Sequence, residues 1–192
     1  MRLFVALDLE ENLRAKIATY IQGLQGFALD ARWASPQGLH VTLKFIGERP
    51  DEELERIAGA LQAIQVSPFQ LAFRGYGFFP SATSPRVFWL GIEAPTALAT
   101  LATQVDTALA SLGIPREQHA FSPHLTLARS GSGAPRLQRE PAAKSKFQRL
   151  QEKLSALPLP DFGTMTAREF FLYKSKLSQE GSRYTKLATF NL

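Results

Sequence analysis

Two copies of one four-residue pattern, His40-Val41-Thr42-Leu43 and His124-Leu125-Thr126-Leu127, constrain this chain more than any other feature. The copies stand 84 positions apart, and sliding the sequence on itself by that offset needs no gap between residues 2 and 45. Nine residues then meet an identical partner: Arg2, Phe4, Ala15, Ala18, Thr19, Arg32, His40, Thr42 and Leu43. The alanines weigh little in an Ala-rich chain, but the order of elements repeats as well. Residues 2–9 form an apolar, strand-like run, and Leu13, Ile17, Ile21 and Leu24 recur at helical spacing over 11–25. After a turn at 33–36, residues 39–46 read as a second strand closed by Gly47. The acids behind Pro50 then open a helix to about residue 64, where the helix dipole favours them. Strand candidates at 69–79 and 86–93, a helix over 96–112 behind Pro95, and the second motif strand restate the series. A Gly/Ser/Pro loop at 130–135, a basic stretch to about 156, and strands near 168–175 and 183–191 complete the chain. The repeat predicts an α+β fold: two pseudo-symmetric lobes of antiparallel sheet flanked by helices, with an active groove between them, in a single domain over 1–192.

A strand points alternate side chains to opposite faces, so His40 and Thr42 share one face while Val41 and Leu43 anchor the other in a core. The same phase sets His124 beside Thr126. Two such strands across a groove offer two imidazoles and two hydroxyls to one ligand, which matches phosphodiester hydrolysis. Attack on phosphorus needs a base for water and an acid for the departing oxygen, and histidine suits both near neutral pH. Threonine hydroxyls donate to the nonbridging oxygens, where negative charge is stabilised in the transition state. A lone His-x-Thr is usually incidental; here the pattern takes two of only three histidines at matched positions. His40 and His124 are therefore the candidate catalytic pair, and Thr42 and Thr126 candidate substrate-binding residues. The symmetry of the motifs leaves acid and base unassigned.

Arg129 is a candidate phosphate partner, against a solvated strand end. Lys44 counts in phase with His40 and Thr42 and would extend the positive surface, or simply be exposed. Phe45 and Trp33 are read as core aromatics, with base stacking the alternative. His119 is incidental: its counterpart by the repeat is Ser35. From Arg129 to Lys153 seven basic residues (Arg129, Arg136, Arg139, Lys144, Lys146, Arg149, Lys153) stand against two acids. That stretch is either a guide for a nucleic-acid backbone or a solvated helix and loop.

Hydrophobic residues at 45% and charged residues at 20% are those of a globular chain, which removes disorder as the default. The absence of cysteine removes thiolate metal sites, disulfides and cysteine nucleophiles. With no H-E-x-x-H and no carboxylate cluster beside either motif, no metal and no cofactor are expected. A formal charge of +5 and a pI near 9.7 favour a polyanionic partner such as RNA. The N-terminal run meets Asp8 too soon for a signal peptide and no segment has the length of a membrane span, so a cytoplasmic monomer is expected, with no membrane partner.

Beyond the paired motifs, five stretches resemble one family: RLFVALDL, RWASPQGLHVTLKFIGE, GYGFFPS with PRVFWLGI, FSPHLTLAR, and an ending with Ser175, Leu177, Gly181 and Tyr184. The chain is similar to the 2H phosphoesterases, and within them to the bacterial and archaeal RNA 2′,3′-cyclic phosphodiesterases, also called 2′-5′ RNA ligases. The resemblance spans nearly the whole chain and is thinnest over 129–153. It implies a LigT-like bilobal fold and the opening of an RNA 2′,3′-cyclic phosphate to a 2′-phosphate. In that implied reaction His124 accepts the proton of water and His40 donates one to the 3′ oxygen. A reversible joining of ends through a 2′-5′ linkage is also implied. Two other readings stay open: the same chemistry on another cyclic or 2′-5′ linked nucleotide, and a noncatalytic nucleotide- or RNA-binding module. The presence of both histidines and both threonines speaks against the second.

Overall fold

The computed structural model describes residues 1–131, 147–178 and 181–192. Its strands are β1 (Arg2–Asp8), β2 (Ala31–Trp33), β3 (His40–Glu48), β4 (Phe69–Phe79), β5 (Val87–Glu93), β6 (His124–Ser130), β7 (Asp161–Ala167), β8 (Glu169–Ser178) and β9 (Gly181–Asn191). The helices are α1 (Glu11–Leu24), α2 (Leu54–Gln62), α3 (Thr96–Ala110) and α4 (Gln148–Ser155). None is long and apolar enough to cross a membrane among the described residues.

The alternation of β1 explains its place at the centre of the first sheet. Leu3, Val5 and Leu7 are buried in the main core, while Phe4 and Ala6 belong to a second, smaller apolar cluster with Phe171 and Tyr173 on the opposite face. A strand buried on both faces pairs on both edges, and the order is β3-β1-β8-β9, all antiparallel. The second sheet runs β2-β6-β5-β4-β7, also antiparallel. Without β2, the two sheets match strand for strand: a motif strand at one side, its partner next, then two more. The expected α+β, two-sheet architecture is the one observed.

The lobes are nevertheless not successive halves of the chain. β8 and β9, last in sequence, complete the first sheet. β2, which precedes the first motif, crosses to the second sheet and pairs Trp33 with Ala128 beside the second motif. α3 packs on β3 and α1 on β7, and one contiguous core draws on both sheets.

Two strands differ from the sequence expectation. Trp33 ends β2 instead of starting a turn; three residues are too short to show a period. β7 has no counterpart in the expected elements, because Pro158 and Pro160 stand just before it and Gly163, with a positive φ of 88°, interrupts it.

The motif strands contain the decisive irregularity. Val5 pairs with Lys44 and Ala6 with Thr42, so Leu43 is an extra residue, and in the second sheet Phe88 pairs with Ala128 and Trp89 with Thr126, so Leu127 is extra. A bulge advances the side-chain phase by one residue. Counting by two therefore fails beyond each threonine. Lys44 does not extend the groove surface as expected: it turns to the other side and is 2% exposed. There its Nζ donates to Asp106 of α3 at 2.6 Å and to the Pro115 carbonyl at 2.8 Å. Burial alone would raise the Asp106 carboxyl, but the Lys44 hydrogen bond and the Glu117 N–H outweigh it and hold that carboxyl below the usual range. The pairing also corrects the repeat. The motif strands align at 84 residues, but Phe4 lies opposite Phe45 while Val87, not Phe88, lies opposite Arg129, so their partner strands align at 83.

Candidate active site

Residues directly opposite each other in an antiparallel pair point to the same face. The pairs Asp8–His40, Ala6–Thr42 and Phe4–Phe45 therefore form three rungs on one face of the first sheet. Gly91–His124, Trp89–Thr126 and Val87–Arg129 form the matching rungs of the second. β3 and β6 lie in contact with each other, which brings the two ladders together. His40, His124, Thr42, Thr126 and Arg129 thus occupy equivalent rungs of one two-sided arrangement.

The imidazoles are held identically. His40 Nδ1 lies 2.7 Å from the Gly38 carbonyl, and His124 Nδ1 lies 2.7 Å from the Ser122 carbonyl, each two residues back. A carbonyl only accepts, so Nδ1 carries the hydrogen in both rings, and proton transfer falls to Nε2 in both. The supporting loop of His40 is itself pinned, since Arg14 donates to the carbonyls of Pro36 at 2.6 Å and Leu39 at 3.3 Å.

Each ring rests on aromatics. His40 lies 4.8 Å from the Phe4 ring and meets the Tyr184 ring edge-on at 5.0 Å, and Phe4 in turn stacks on Tyr173 at 5.1 Å. His124 meets Phe79 edge-on at 5.0 Å, with Trp89 at 6.4 Å. The Trp89 indole lies across Gly77, where a Cβ would come within 2.2 Å of the ring, so only glycine leaves room for this bed.

Burial among these rings disfavours the imidazolium and pushes His40 down to about 4; it lowers His124 as well. At both rings the Gly38 or Ser122 carbonyl acts upward. The positive charge of Arg129 acts downward on both, so this guanidinium is within electrostatic reach of either histidine. Asp8 raises His40 and Arg14 lowers it. In the unfolded chain a histidine titrates near 6.5. Below that pH the unfolded chain takes up protons that the folded one refuses, so stability present at pH 7 is lost as pH falls toward 4. The urea midpoint is expected to fall from pH 7 to 5, above the carboxylate range, and His40→Gln to flatten that fall. An equal fall in the variant would remove His40 as its source.

Several site residues were not legible as such in the sequence. Asp8 is ion-paired to Arg14 and, at 2.5 Å, to Lys186, and accepts from the Leu9 N–H at 2.8 Å. Burial alone would raise its carboxyl, but these partners hold it below the usual range. Burial, with Asp8 beside it, raises the Tyr173 hydroxyl. A cleft lined by Asp8, Arg14, Gln37, Tyr173, Tyr184 and Lys186 opens here. The only signal for Asp8 was its even phase at the end of a strand whose residues 3–7 are all apolar; Arg14 and Lys186 gave none.

The other candidates separate cleanly. Trp33 packs edge-on to Phe88 at 6.0 Å and its Nε1–H donates to the Ala28 carbonyl at 3.1 Å, in keeping with a core role. Phe45, expected in the core, is 55% exposed, because the bulge turns it to the groove face. His119 is exposed, in the segment before β6. Of the basic stretch, Arg149 and Lys153 lie on α4, with Lys153 over the Phe27 ring; Arg136, Arg139, Lys144 and Lys146 fall outside the described residues. Among the described residues no three His, Cys, Asp or Glu side chains gather as metal ligands do.

Known proteins resemble this chain in sequence and in fold. The family described as the 2'-5' RNA ligase superfamily matches residues 13–172. A protein of Archaeoglobus fulgidus named RNA 2',3'-cyclic phosphodiesterase is 34% identical over 190 residues, which cover 99% of either chain. One of the same name from Methanothermobacter thermautotrophicus is 30% identical over 194 residues, covering 100% of this chain and 99% of the other. Among solved structures, a Thermus thermophilus protein superposes with a TM-score of 0.79 at 31% identity, covering 100% of this chain and 98% of that one. E. coli LigT complexed with 3'-AMP superposes with a TM-score of 0.78 at 28% identity, covering 100% and 97%. By its sequence, its two-sheet fold and the match of its whole length, this chain belongs to the 2'-5' RNA ligase superfamily.

Proposed function

We propose that this chain is an RNA 2′,3′-cyclic phosphodiesterase that opens a terminal cyclic phosphate to a 2′-phosphate with His40 and His124 as its acid–base pair. The observation that carries the reading is the shared state of the two imidazoles. Each gives its Nδ1–H to a carbonyl two residues back and so keeps Nε2 for proton transfer. His124 Nε2 takes a proton from water as the water oxygen bonds to phosphorus. The P–O3′ bond breaks, and the His40 imidazolium gives its proton to the departing oxygen. The donor and acceptor roles follow the family resemblance. The hydroxyls of Thr42 and Thr126 donate to the nonbridging oxygens, and Arg129 offsets their charge. A phosphate anion between the rings favours the imidazolium that burial opposes in the empty site, and so supplies the protonated His40 the step needs. The names of the relatives and the nucleotide in the LigT complex support a nucleotide substrate. The chain acts in this reading as one bilobal unit over 1–192, monomeric and cytoplasmic, with neither metal nor cofactor. Joining of ends through a 2′-5′ linkage is the same displacement with a ribose 5′-hydroxyl in place of water: the P–O5′ bond forms as the P–O3′ bond breaks, and the same two histidines take and give the protons.

The test is turnover of a short RNA ending in a 2′,3′-cyclic phosphate, with EDTA present and the product's phosphate position identified. The expected product is the 2′-phosphate, at a rate EDTA does not change. No turnover would move the reading to another cyclic or 2′-5′ linked nucleotide, and tight binding without turnover would make the chain a binding module.

A further inference from the structure

The two ladders carry the same motif but give its histidines different partners. Opposite His40 stands Asp8, a carboxylate; opposite His124 stands Gly91, which has no side chain. The difference is built into the fold. A Cβ at Gly91 would come within 2.4 Å of the Arg74 carbonyl oxygen, so that rung takes glycine and no acid can face His124 from β5. Asp8 is both fixed and kept charged. Arg14 and Lys186 pair with it and the Leu9 N–H donates to it at 2.8 Å, and together they outweigh the burial that would raise its carboxyl. It is therefore an anion throughout the range in which a histidine titrates.

The proposed reaction needs the two imidazoles in unlike states, one protonated to give and one neutral to take. Their own hydrogen bonds do not tell them apart, because each gives Nδ1–H to a carbonyl two residues back. A phosphate between the rings favours either imidazolium, and a nucleotide that fills the groove covers both. We propose that Asp8 is the positioning residue that places the proton: facing His40 alone, its carboxylate makes His40 the imidazolium and leaves His124 the base. The His40 proton then goes to O3′ as the P–O3′ bond breaks, and His124 takes the proton of the water whose oxygen bonds to phosphorus. That step leaves His40 neutral and His124 protonated, and Asp8 favours the exchange of both with solvent back to the starting states.

The other groups around this rung do not undo the effect. They are Arg14 and Glu11 from α1, Tyr173 from β8, Tyr184 and Lys186 from β9, and Arg129 from β6. Arg14 also donates to the Pro36, Leu39 and Leu9 carbonyls and pairs with Glu11 at 3.5 Å. The Lys186 ammonium lies over the Phe171 ring at 3.9 Å, and the two tyrosines bring neutral rings. Burial pushes His40 down; against it stand the Gly38 carbonyl and then Asp8, which outweighs Arg129 and Arg14 taken singly. On His124 the upward influence is the Ser122 carbonyl, against burial and Arg129.

This inference rests on the proposed cyclic phosphodiesterase reading. The experiment follows the ring nitrogens of the three histidines by NMR across pH, with adenosine 2′-phosphate bound, in wild type, Asp8→Asn and Asp8→Glu. The exposed His119 serves as internal reference. It adds the pH profile of kcat on a short cyclic-ended RNA. In wild type His40 is expected to hold its proton to higher pH than His124. Asp8→Asn keeps the shape and removes the charge, so the required imidazolium is lost at lower pH. The His40 midpoint and the alkaline limb of kcat fall by about one pH unit, the low end of what a facing opposite charge does, and activity on that limb drops about tenfold. His124 stays in place, and Asp8→Glu keeps the wild-type behaviour. Three results would each overturn the inference and leave the reaction standing: His124 holding its proton to the higher pH in wild type, a His40 midpoint that Asp8→Asn does not move or moves no more than that of His124, or an Asp8→Glu that behaves as Asp8→Asn does. No turnover by wild type would overturn the reaction, and the inference with it.

Discussion

Alanine at either His40 or His124 is expected to lower kcat on a cyclic-ended RNA by about a hundredfold to ten-thousandfold, the range a positioned general acid or base supplies. The double variant should fall little further, because groups that act in one step are not additive. The loss belongs to chemistry and not to folding. Each ring touches the rest of the chain through one hydrogen bond to a carbonyl and through aromatic contacts, and the backbone ladders around it run through β1, β3, β5 and β6 regardless of the side chain. Circular dichroism of the variants should match wild type. Free imidazole should restore part of the activity of His40→Ala, since the variant leaves a ring-sized space against Phe4 and Tyr184. Activity within a few-fold of wild type in one variant would remove that histidine from the acid–base pair.

The second large effect is on stability. Lys44 is a cation buried in the core, with its side chain 1% exposed and its Nζ shared between Asp106 and the Pro115 carbonyl. Truncating it leaves a desolvated carboxylate and an unmet carbonyl, and breaking a buried pair from one side costs about 3–5 kcal/mol. In a chain of this size each kcal/mol moves Tm by about 2–4 °C, so Lys44→Ala should melt roughly 10 °C below wild type. The partners are unequal. The Asp106 side chain is 16% exposed and keeps the Glu117 N–H at 3.0 Å, so Lys44→Met, which refills the space but leaves the same two acceptors unmet, should cost less than Lys44→Ala, and Asp106→Ala, which strands the ammonium, should cost the most. Equal melting temperatures for wild type and Lys44→Ala would show that the pair adds nothing to the fold. The pair also joins β3 to the start of the segment that carries Ser122, as Arg14 joins β1 to the loop that carries Gly38.

The paired motifs were legible because they obey a period. Over four residues, His-x-Thr-x alternates as a strand must, so both histidines and threonines could be set on one face from the sequence alone. That alternation ends at the bulge, and a bulge is decided by the partner strand: Leu43 is extra only against Val5 and Ala6. Lys44 and Phe45 exchanged their expected places for this reason. The short β2 and the punctuated β7 escaped for a related one, because their strand state comes from the sheet edge they join and not from their own residues.

What the sequence determined by itself was local and repeated: the strand–helix–strand series, the apolar faces that make two sheets, and the two His-Thr pairs with the chemistry they allow. Tertiary structure decided what depends on residues distant in the chain. It gave the first sheet the last two strands, and passed β2 across to the second. It tied both Nδ1 atoms to carbonyls and brought Arg129 within reach of both rings. It also ringed Asp8 with Arg14 and Lys186 beside His40 alone. Periodicity encodes which face a side chain takes, because that follows from backbone geometry. It does not encode what stands opposite that face, because a partner is chosen by the free energy of the whole assembled core.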